Sequence, residues 1–384
     1  MKISLYVHIP FCKRKCLYCD FLSGPYDDKV RSLYVDALLR EIAVRSAGYL
    51  EYEVISIFFG GGTPSVLSDN DINRIMSQIR SCYNVGENCE VSMEVNPGTV
   101  STVEQFRGYL DSGINRLSFG LQSAVDSELE TLGRIHDRKT FLNGYKMAVQ
   151  AGFTNINVDL MSGIPNQTTE SLSSSLRFVS SLSPKPTHLS VYGLIVEEGT
   201  PFYDRYGENK PFEGELPSEE EEREMYKITG DFLAKAGYHR YEISNYALPG
   251  YECSHNKVYW KRGNYLGLGL GASSMVDNAR WKNTSSMDEY IGNNPPLDVE
   301  YEVLDEEDRM EEYMFLGLRM MEGISISEFE KSFGRKFPKE YAEVVNKYVK
   351  LGLLRVQDND IVMLTERGID VSNVIFADFC CELT

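Results

Sequence analysis

The sequence predicts an α/β protein, a partial (β/α)6 TIM-like barrel followed by a small winged-helix-like α+β domain. Three observations predict it. Over residues 1–245 a short apolar run, a loop and a helical pattern recur in series, the signature of a parallel sheet with helices outside. The polar clusters of that stretch fall just after apolar runs, at the strand ends where barrel folds carry their sites. Beyond residues 292–296 the pattern changes to helices followed by a hairpin.

The strand candidates are residues 3–8, 54–59, 91–95, 116–119, 155–160 and 188–194. Each is a short apolar run bounded by loop residues. Helical patterns separate them. In residues 30–45 the apolar positions Val30, Leu33, Tyr34, Ala37, Leu38 and Ile42 fall near a 3.6 period. Residues 72–79, 103–110, 141–151 and 172–182 behave similarly. Residues 201–217, rich in Pro, Gly and Glu, read as a surface insertion. The acidic run 219–222 suits a helix N-terminus, and a last barrel strand is expected over 238–245. Residues 246–296 read as a connecting segment. In the second domain, residues 297–384, helices are expected over 309–321, 326–333 and 339–351. A hairpin follows, 354–357 and 361–364, around Asp358, Asn359 and Asp360.

A net charge of −18 argues against a nucleic-acid partner, since polyphosphate would be repelled. Charge in the helix over 339–350 is nearly balanced, so the winged-helix-like domain is expected to cover the barrel or bind protein. No apolar run is long enough to span a membrane. The first ten residues, MKISLYVHIP, lack the apolar core of a signal peptide. A cytoplasmic location is expected, where Cys82, Cys89, Cys253, Cys380 and Cys381 would stay reduced.

The run YVHIPFCKRKCLYCDF carries Cys12, Cys16 and Cys19. Three thiolates at this spacing can hold a [4Fe–4S] cluster and leave one iron open to a small molecule. Zinc is the competing occupant, but a structural zinc site closes with four Cys or His ligands. Phe21 stands where a further C-x-C cysteine would be, and His8 lies before the triplet in a strand. His8 is expected to support the cluster loop. Gly60, Gly61, Gly62, Thr63 and Pro64 follow the second strand. A tight turn needs one or two glycines; three suggest close approach to a ligand. Glu94 and Asn96 end the third strand, Gln122 the fourth and Asp159 the fifth, with Arg134 in a following loop. A carboxylate inside an apolar strand is costly without a partner. A salt bridge or a cap explains any one of these residues; a ring of them at one rim points to a ligand. Glu94 and Asp159 suit ribose hydroxyls, and Arg134 suits a carboxylate through its planar fork. His136 and His188 read as packing groups.

These motifs resemble the radical S-adenosylmethionine (SAM) superfamily, in its oxygen-independent coproporphyrinogen III oxidase-like family. The resemblance rests on YVHIPFCKRKCLYCDF, GGGTPS, MEVNPGT, SFGLQS and DLMSGIP, and covers roughly residues 1–200. It implies that Cys12, Cys16 and Cys19 hold a [4Fe–4S] cluster whose open iron is chelated by SAM. It implies SAM contacts at Tyr6, Tyr18, Gly61, Gly62, Thr63, Glu94, Gln122, Arg134 and Asp159. The oxidases of the family carry C-x₃-C-x₂-C-x-C and an N-terminal extension. Here Phe21 replaces the last Cys, and only five residues precede Tyr6. The chain is closer to the HemW-type branch, haem chaperones marked by HNxxYW, which stands here as His255, Asn256, Lys257, Val258, Tyr259 and Trp260. That branch implies haem as cargo and haem-accepting apo-proteins as partners, respiratory enzymes among the candidates, with peripheral membrane contact in that case. His255 is then the candidate iron ligand, with Cys253 as its rival; the bland alternative is that His255 caps a turn and Trp260 fills a core gap. A radical SAM enzyme acting on a tetrapyrrole, and a binding module with a structural cluster, are the other readings. A homodimer is a candidate assembly.

Overall fold

The computed structural model describes residues 1–293 and 298–380. Cys381 and the expected domain boundary at 296 lie outside the described residues. The first half alternates strand and helix: β1 (Lys2–Ile9), α1 (Asp28–Arg45), β2 (Glu53–Gly61), α2 (Asp69–Cys82), β3 (Asn84–Val95), α3 (Val103–Asp111), β4 (Arg116–Gln122), α4 (Asp126–Thr131), α5 (Arg138–Ala151), β5 (Ile156–Ser162), α6 (Thr169–Ser180) and β6 (His188–Gly193). Neighbours from β1 to β6 pair in parallel. Most of the helices start on a side-chain cap. Asp27, Ser68, Thr102, Asp137 and Thr168 each accept a backbone N–H from the first turn that would otherwise be unpaired.

Successive side chains on a strand point to opposite faces, and here the two faces differ in chemistry. Ile3, Leu5, Val7, Ile57, Phe59, Val91, Met93, Leu117, Phe119, Val158, Leu160 and Leu189 are buried in the main apolar core beneath the helices. The alternate positions, Ser4, Tyr6, Ser56, Phe58, Ser92, Glu94, Arg116, Ser118, Asn157, Asp159, His188 and Ser190, are polar or aromatic. A closed TIM barrel fills its interior with branched apolar residues. This lumen is built instead to hold polar groups and a ligand.

The chain continues through α7 (Pro201–Tyr206), α8 (Glu219–Lys235), β7 (His239–Arg240), β8 (Asn245–Ala247), α9 (Ser254–Trp260), β9 (Tyr265–Leu268), β10 (Ser273–Val276), β11 (Ala279–Asn283), α10 (Met287–Gly292) and β12 (Asp298–Val303). The sheet runs β12-β11-β10-β9-β1-β2-β3-β4-β5-β6-β8-β7, so it curls without closing. Three expectations change here. The single strand over 238–245 is a hairpin, because buried Glu242 accepts from Ser244 N (2.8 Å) and Asn245 Nδ2 (2.6 Å) and turns the chain. The insertion over 201–217 is not all surface: α7 buries Phe202 and Tyr206 against Leu132, Met161 and Ile164. The connecting segment joins the sheet, with β9 pairing in parallel with β1. Strands of four residues leave too little periodicity to be read in advance.

The last part holds α11 (Glu306–Gly317), β13 (Ile324–Ser325), α12 (Ile326–Phe333), α13 (Lys339–Lys350), β14 (Leu354–Gln357), β15 (Ile361–Leu364), α14 (Glu366–Asp370) and α15 (Ser372–Ala377). It has its own core, including Met310, Met314, Phe329, Tyr341, Val362 and Phe379. The hairpin gains a third strand, β13, against β15. The first helix stops at Gly317, short of the expected 321; a Cβ there would come within 2.3 Å of Ile324 Cγ2.

Candidate functional site

Two adjoining cavities occupy the barrel, one at its rim and one in its lumen. The rim cavity, about 490 Å³, is lined by Cys12, Cys16 and Cys19 and by the strand-end loops. The cysteine loop is stitched to its surroundings by backbone hydrogen bonds. Cys12 N donates to Gly24 O (2.9 Å), Leu17 N to Leu132 O (3.2 Å), and Phe202 N to Leu17 O (3.0 Å). Helix α7 therefore props the loop, which sequence reasoning missed. His8 Nε2 bonds Leu22 O at 2.9 Å, just past the third cysteine, as expected of a supporting residue.

The three thiols are part-exposed toward this cavity and outside any disulfide. Among the described residues no three His, Cys, Asp or Glu side chains converge on one ion position. A cubane puts each thiolate on a different iron and so needs no single point of convergence. The donor set fits the cluster. Burial pushes the Cys19 thiol up, with the neighbouring Cys16 adding to it and Phe21 N–H offsetting part.

Gly61, Gly62, Thr63, Gln122 and Arg134 stand around the same cavity, with Tyr18. Gly62 N donates to Ile9 O (2.9 Å) and Thr63 N to Phe11 O (2.8 Å). A Cβ at Gly62 would lie 2.7 Å from Ile9 O, and one at Gly61, where φ is +102°, 2.3 Å from the His8 ring. These glycines are thus required by the contact of the second strand's end with the cysteine loop, whatever ligand they also meet. Arg134 donates through Nη2 to Asn96 Oδ1 (2.6 Å) and Gly120 O (2.7 Å), and through Nη1 to Cys16 Sγ (3.3 Å). Its Nε is buried without a partner. That orphan donor suits the carboxylate of SAM.

Glu94 and Asp159 line both cavities. Glu94 Oε2 accepts from Gly61 N at 3.2 Å. Burial, and then the Asp159 charge, push its carboxyl up to about 8. Asp159 accepts from Asn157 Nδ2 (2.6 Å) and Ser118 Oγ (3.3 Å), and burial raises it too. A carboxyl held near 8, as at Glu94, can donate to a hydroxyl as well as accept from one, and Asp159 beside it offers further acceptor oxygens.

The lumen cavity is of similar size, about 520 Å³, and more aromatic, with Tyr6, Phe58, Tyr192, Tyr259 and Tyr265 in its wall. Tyr6 belongs to this cavity, its OH 3.0 Å from His8 Nδ1. Arg116 also lines it. It is 2 % exposed, its Nη1 reaches Ser92 Oγ at 3.3 Å, and its Nε has no partner. Arg116, Tyr192 and Tyr265 were missed in the sequence, and Tyr259 stood there only as a member of HNxxYW. Polar residues two apart in an apolar strand, such as Arg116 and Ser118 or Asn157 and Asp159, were the available signal.

His255 lines neither cavity. It is 1 % exposed, stacks on Phe58 at 5.2 Å, and has both ring nitrogens engaged: Nδ1 with Ser56 Oγ and Nε2 with Tyr259 OH, each at 2.9 Å. Burial, with the Arg116 charge, lowers its pKa to about 3. Cys253 is fully buried, its Sγ 3.5 Å from Glu90 Oε1, and burial pushes the thiol up to about 12. Neither has a free donor atom facing a cavity. His188 is a packing group held by Asn157 and Tyr241, and His136 is buried beside Leu121 O.

Residues 6–179 match the Radical SAM superfamily and residues 304–371 the HemN C-terminal domain. Proteins named heme chaperone HemW are similar over nearly the whole chain. The one from Bacillus subtilis is 36% identical, covering 99% of this chain and 100% of its own. The one from Lactococcus lactis is 34% identical over 99% and 97%. The solved coproporphyrinogen III oxidase HemN of Escherichia coli superposes with a TM-score of 0.84 at 25% identity, over 98% of this chain and 90% of that one.

Proposed function

The chain belongs to the HemW heme-chaperone family of the radical SAM superfamily, and from that premise we propose that it binds haem and passes it to apo-proteins that require it. The observation that carries this reading is the end-to-end similarity to proteins bearing that name. The intact HNKVYW segment and Phe21 at the position of a fourth cysteine support it. Cys12, Cys16 and Cys19 hold a [4Fe–4S] cluster in this reading. When bound, it can supply one electron to the sulfonium of SAM.

The protein's own groups do the positioning. Arg134 offers its orphan Nε to the SAM carboxylate, while Glu94 and Asp159 take the ribose hydroxyls. Tyr18, Gly61, Gly62, Thr63 and Gln122 complete the walls, while Tyr6 stands in the wall of the lumen. Haem is the cargo and haem-dependent apo-proteins the recipients, respiratory enzymes among them. The cytoplasm is the compartment of work, with peripheral membrane contact when the recipient is membrane-bound; among the described residues no helix is long and apolar enough to cross a membrane. A homodimer is the assembly to test by light scattering.

Haem-loaded protein mixed with an apo-haem-protein should transfer its haem, seen as the acceptor's absorbance spectrum. In parallel, coproporphyrinogen III with SAM and a reductant should stay unchanged. The likeness to HemN favours one second reading, SAM-dependent chemistry on a tetrapyrrole side chain. Porphyrinogen decarboxylation without haem transfer would establish that reading and remove the first.

A further inference from the structure

We propose that the iron of the bound haem is ligated by Tyr259, in the lumen cavity, with His255 serving as its hydrogen-bonding partner rather than as the ligand. This deepens the haem-chaperone reading and rests on it.

The geometry of α9 separates the two residues. His255 and Tyr259 lie one turn apart on the same helical face. His255 points into packed protein, where Ser56 and Tyr259 occupy its two nitrogens. For it to reach iron, one of these bonds must break and the ring must leave its stack on Phe58. Tyr259 lines the cavity, and His255 is its only hydrogen-bond partner among the described residues. A phenol oxygen has two acceptor positions besides its proton, so the bond to His255 leaves room for iron. Tyrosine is an established axial ligand of haem, and a hard oxygen donor suits the ferric state.

The surroundings fit the rest of the cargo. Tyr6, Phe58 and Tyr265 present apolar ring surface to a macrocycle. Tyr265 meets Tyr259 edge-on at 4.7 Å and fixes the ring. Arg116 supplies a buried cation with an unpartnered Nε in the same cavity, the countercharge that a propionate requires.

Ligation forms an Fe–O bond and breaks the phenol O–H bond. The proton leaves to solvent through the cavity, because burial and the Arg116 charge keep the His255 imidazole neutral. No electron moves, and the product is a phenolate on ferric iron with neutral His255 as its hydrogen-bonding neighbour.

The test is a titration of the full-length protein with ferric haem, read by absorbance, EPR and resonance Raman. Wild type should bind one haem with a high-spin, phenolate-ligated signature. Tyr259→Phe should lose that signature and at least tenfold in affinity. Tyr259→His should keep haem but acquire an imidazole-type spectrum. His255→Ala should keep the phenolate signature with affinity reduced up to about tenfold. Retained cluster absorbance and thermal unfolding establish that each variant is folded. A wild-type spectrum in Tyr259→Phe, or loss of the native ligand signature in His255→Ala alone, would overturn the assignment and leave the chaperone reading standing. Failure of wild type to bind haem would overturn both.

Discussion

The rim cavity and the lumen cavity share Phe21, Gly61, Glu94, Ser118, Asp159 and Tyr192, yet they are made differently. The rim is built from the C-terminal ends of strands β1 to β6 and the loops that follow them, held by backbone contacts and glycines. The lumen is built from alternate side chains of those strands, closed by α9 and β9 from a distant part of the chain. One end is a backbone cradle and the other a side-chain chamber. A cofactor bound by chelation and short polar contacts suits the first, and a broad aromatic cargo suits the second. The two should therefore be separable by mutation, and the experiments below break or sharpen that separation.

The largest effect belongs to the cysteines. Cys12→Ser should abolish the cluster, with iron and sulfide falling to background after anaerobic reconstitution, and SAM binding lost with it. Haem binding in the lumen should persist. Loss of both would mean that the cavities form one cooperative unit. Next, Arg134→Met should weaken SAM by ten- to a hundredfold, measured calorimetrically on the cluster-loaded protein. A charge-assisted hydrogen bond of this kind contributes about 2 kcal/mol. Haem affinity should stay within about twofold; an equal loss would contradict separability.

Glu94 lies on the shared wall and gives a pH signature. Its carboxyl is raised from 4.5 to about 8 by burial and by Asp159. Between these values the folded protein holds a proton that the unfolded chain has released. Stability of the ligand-free protein should therefore be highest below the unfolded value and fall as pH rises toward 8. Partial exposure limits the drop to about 2 kcal/mol. Urea unfolding at pH 5.5 and 8.5 reads it, and Glu94→Gln should flatten the difference. A wild-type stability that rises over this range would contradict the assignment. Gly62→Ala should cost a similar amount, about 2 kcal/mol, since its Cβ would meet the backbone of Ile9 and Phe11. That loss should fall on cluster retention before haem binding.

The same contrast explains what the sequence disclosed. Rim residues sit in contiguous motifs, so Cys12, Cys16, Cys19, Thr63, Gln122 and Arg134 stand out in the sequence itself. Their neighbours are neighbours in sequence, or occupy the same position in successive β–α units. Lumen residues meet only when strands align. Ser56 pairs with His255 across 199 positions, and nothing local in either announces the other. His255 was legible as part of a motif, but its orientation was set by that distant serine and by Phe58. The four-residue strands β9 and β10 were lost because a connection and a short buried strand have the same composition. Helix α7 was lost because a Pro- and Gly-rich stretch disguised two anchoring aromatics.

The smallest effect probes how the second domain touches the chamber. Trp260 follows Tyr259 directly, but it packs with Tyr241, Ala247 and Met320, and the Arg319 guanidinium lies 4.3 Å from its ring centre. Helix α9 thus carries a cavity residue and a domain-contact residue side by side. The indole Nε1 is buried without a hydrogen-bond partner, so Trp260→Phe removes no hydrogen bond and weakens mainly the cation–π contact. Stability should fall by about 0.5–1 kcal/mol. If the second domain merely covers the barrel, haem affinity should change less than threefold, because Ser56, His255 and Tyr265 still fix Tyr259. A tenfold loss with an unchanged ligand signature would mean that this contact sets the height of α9. The domain beyond residue 304 would then belong to the chamber, and a recipient docking on it could loosen the cargo by moving Trp260.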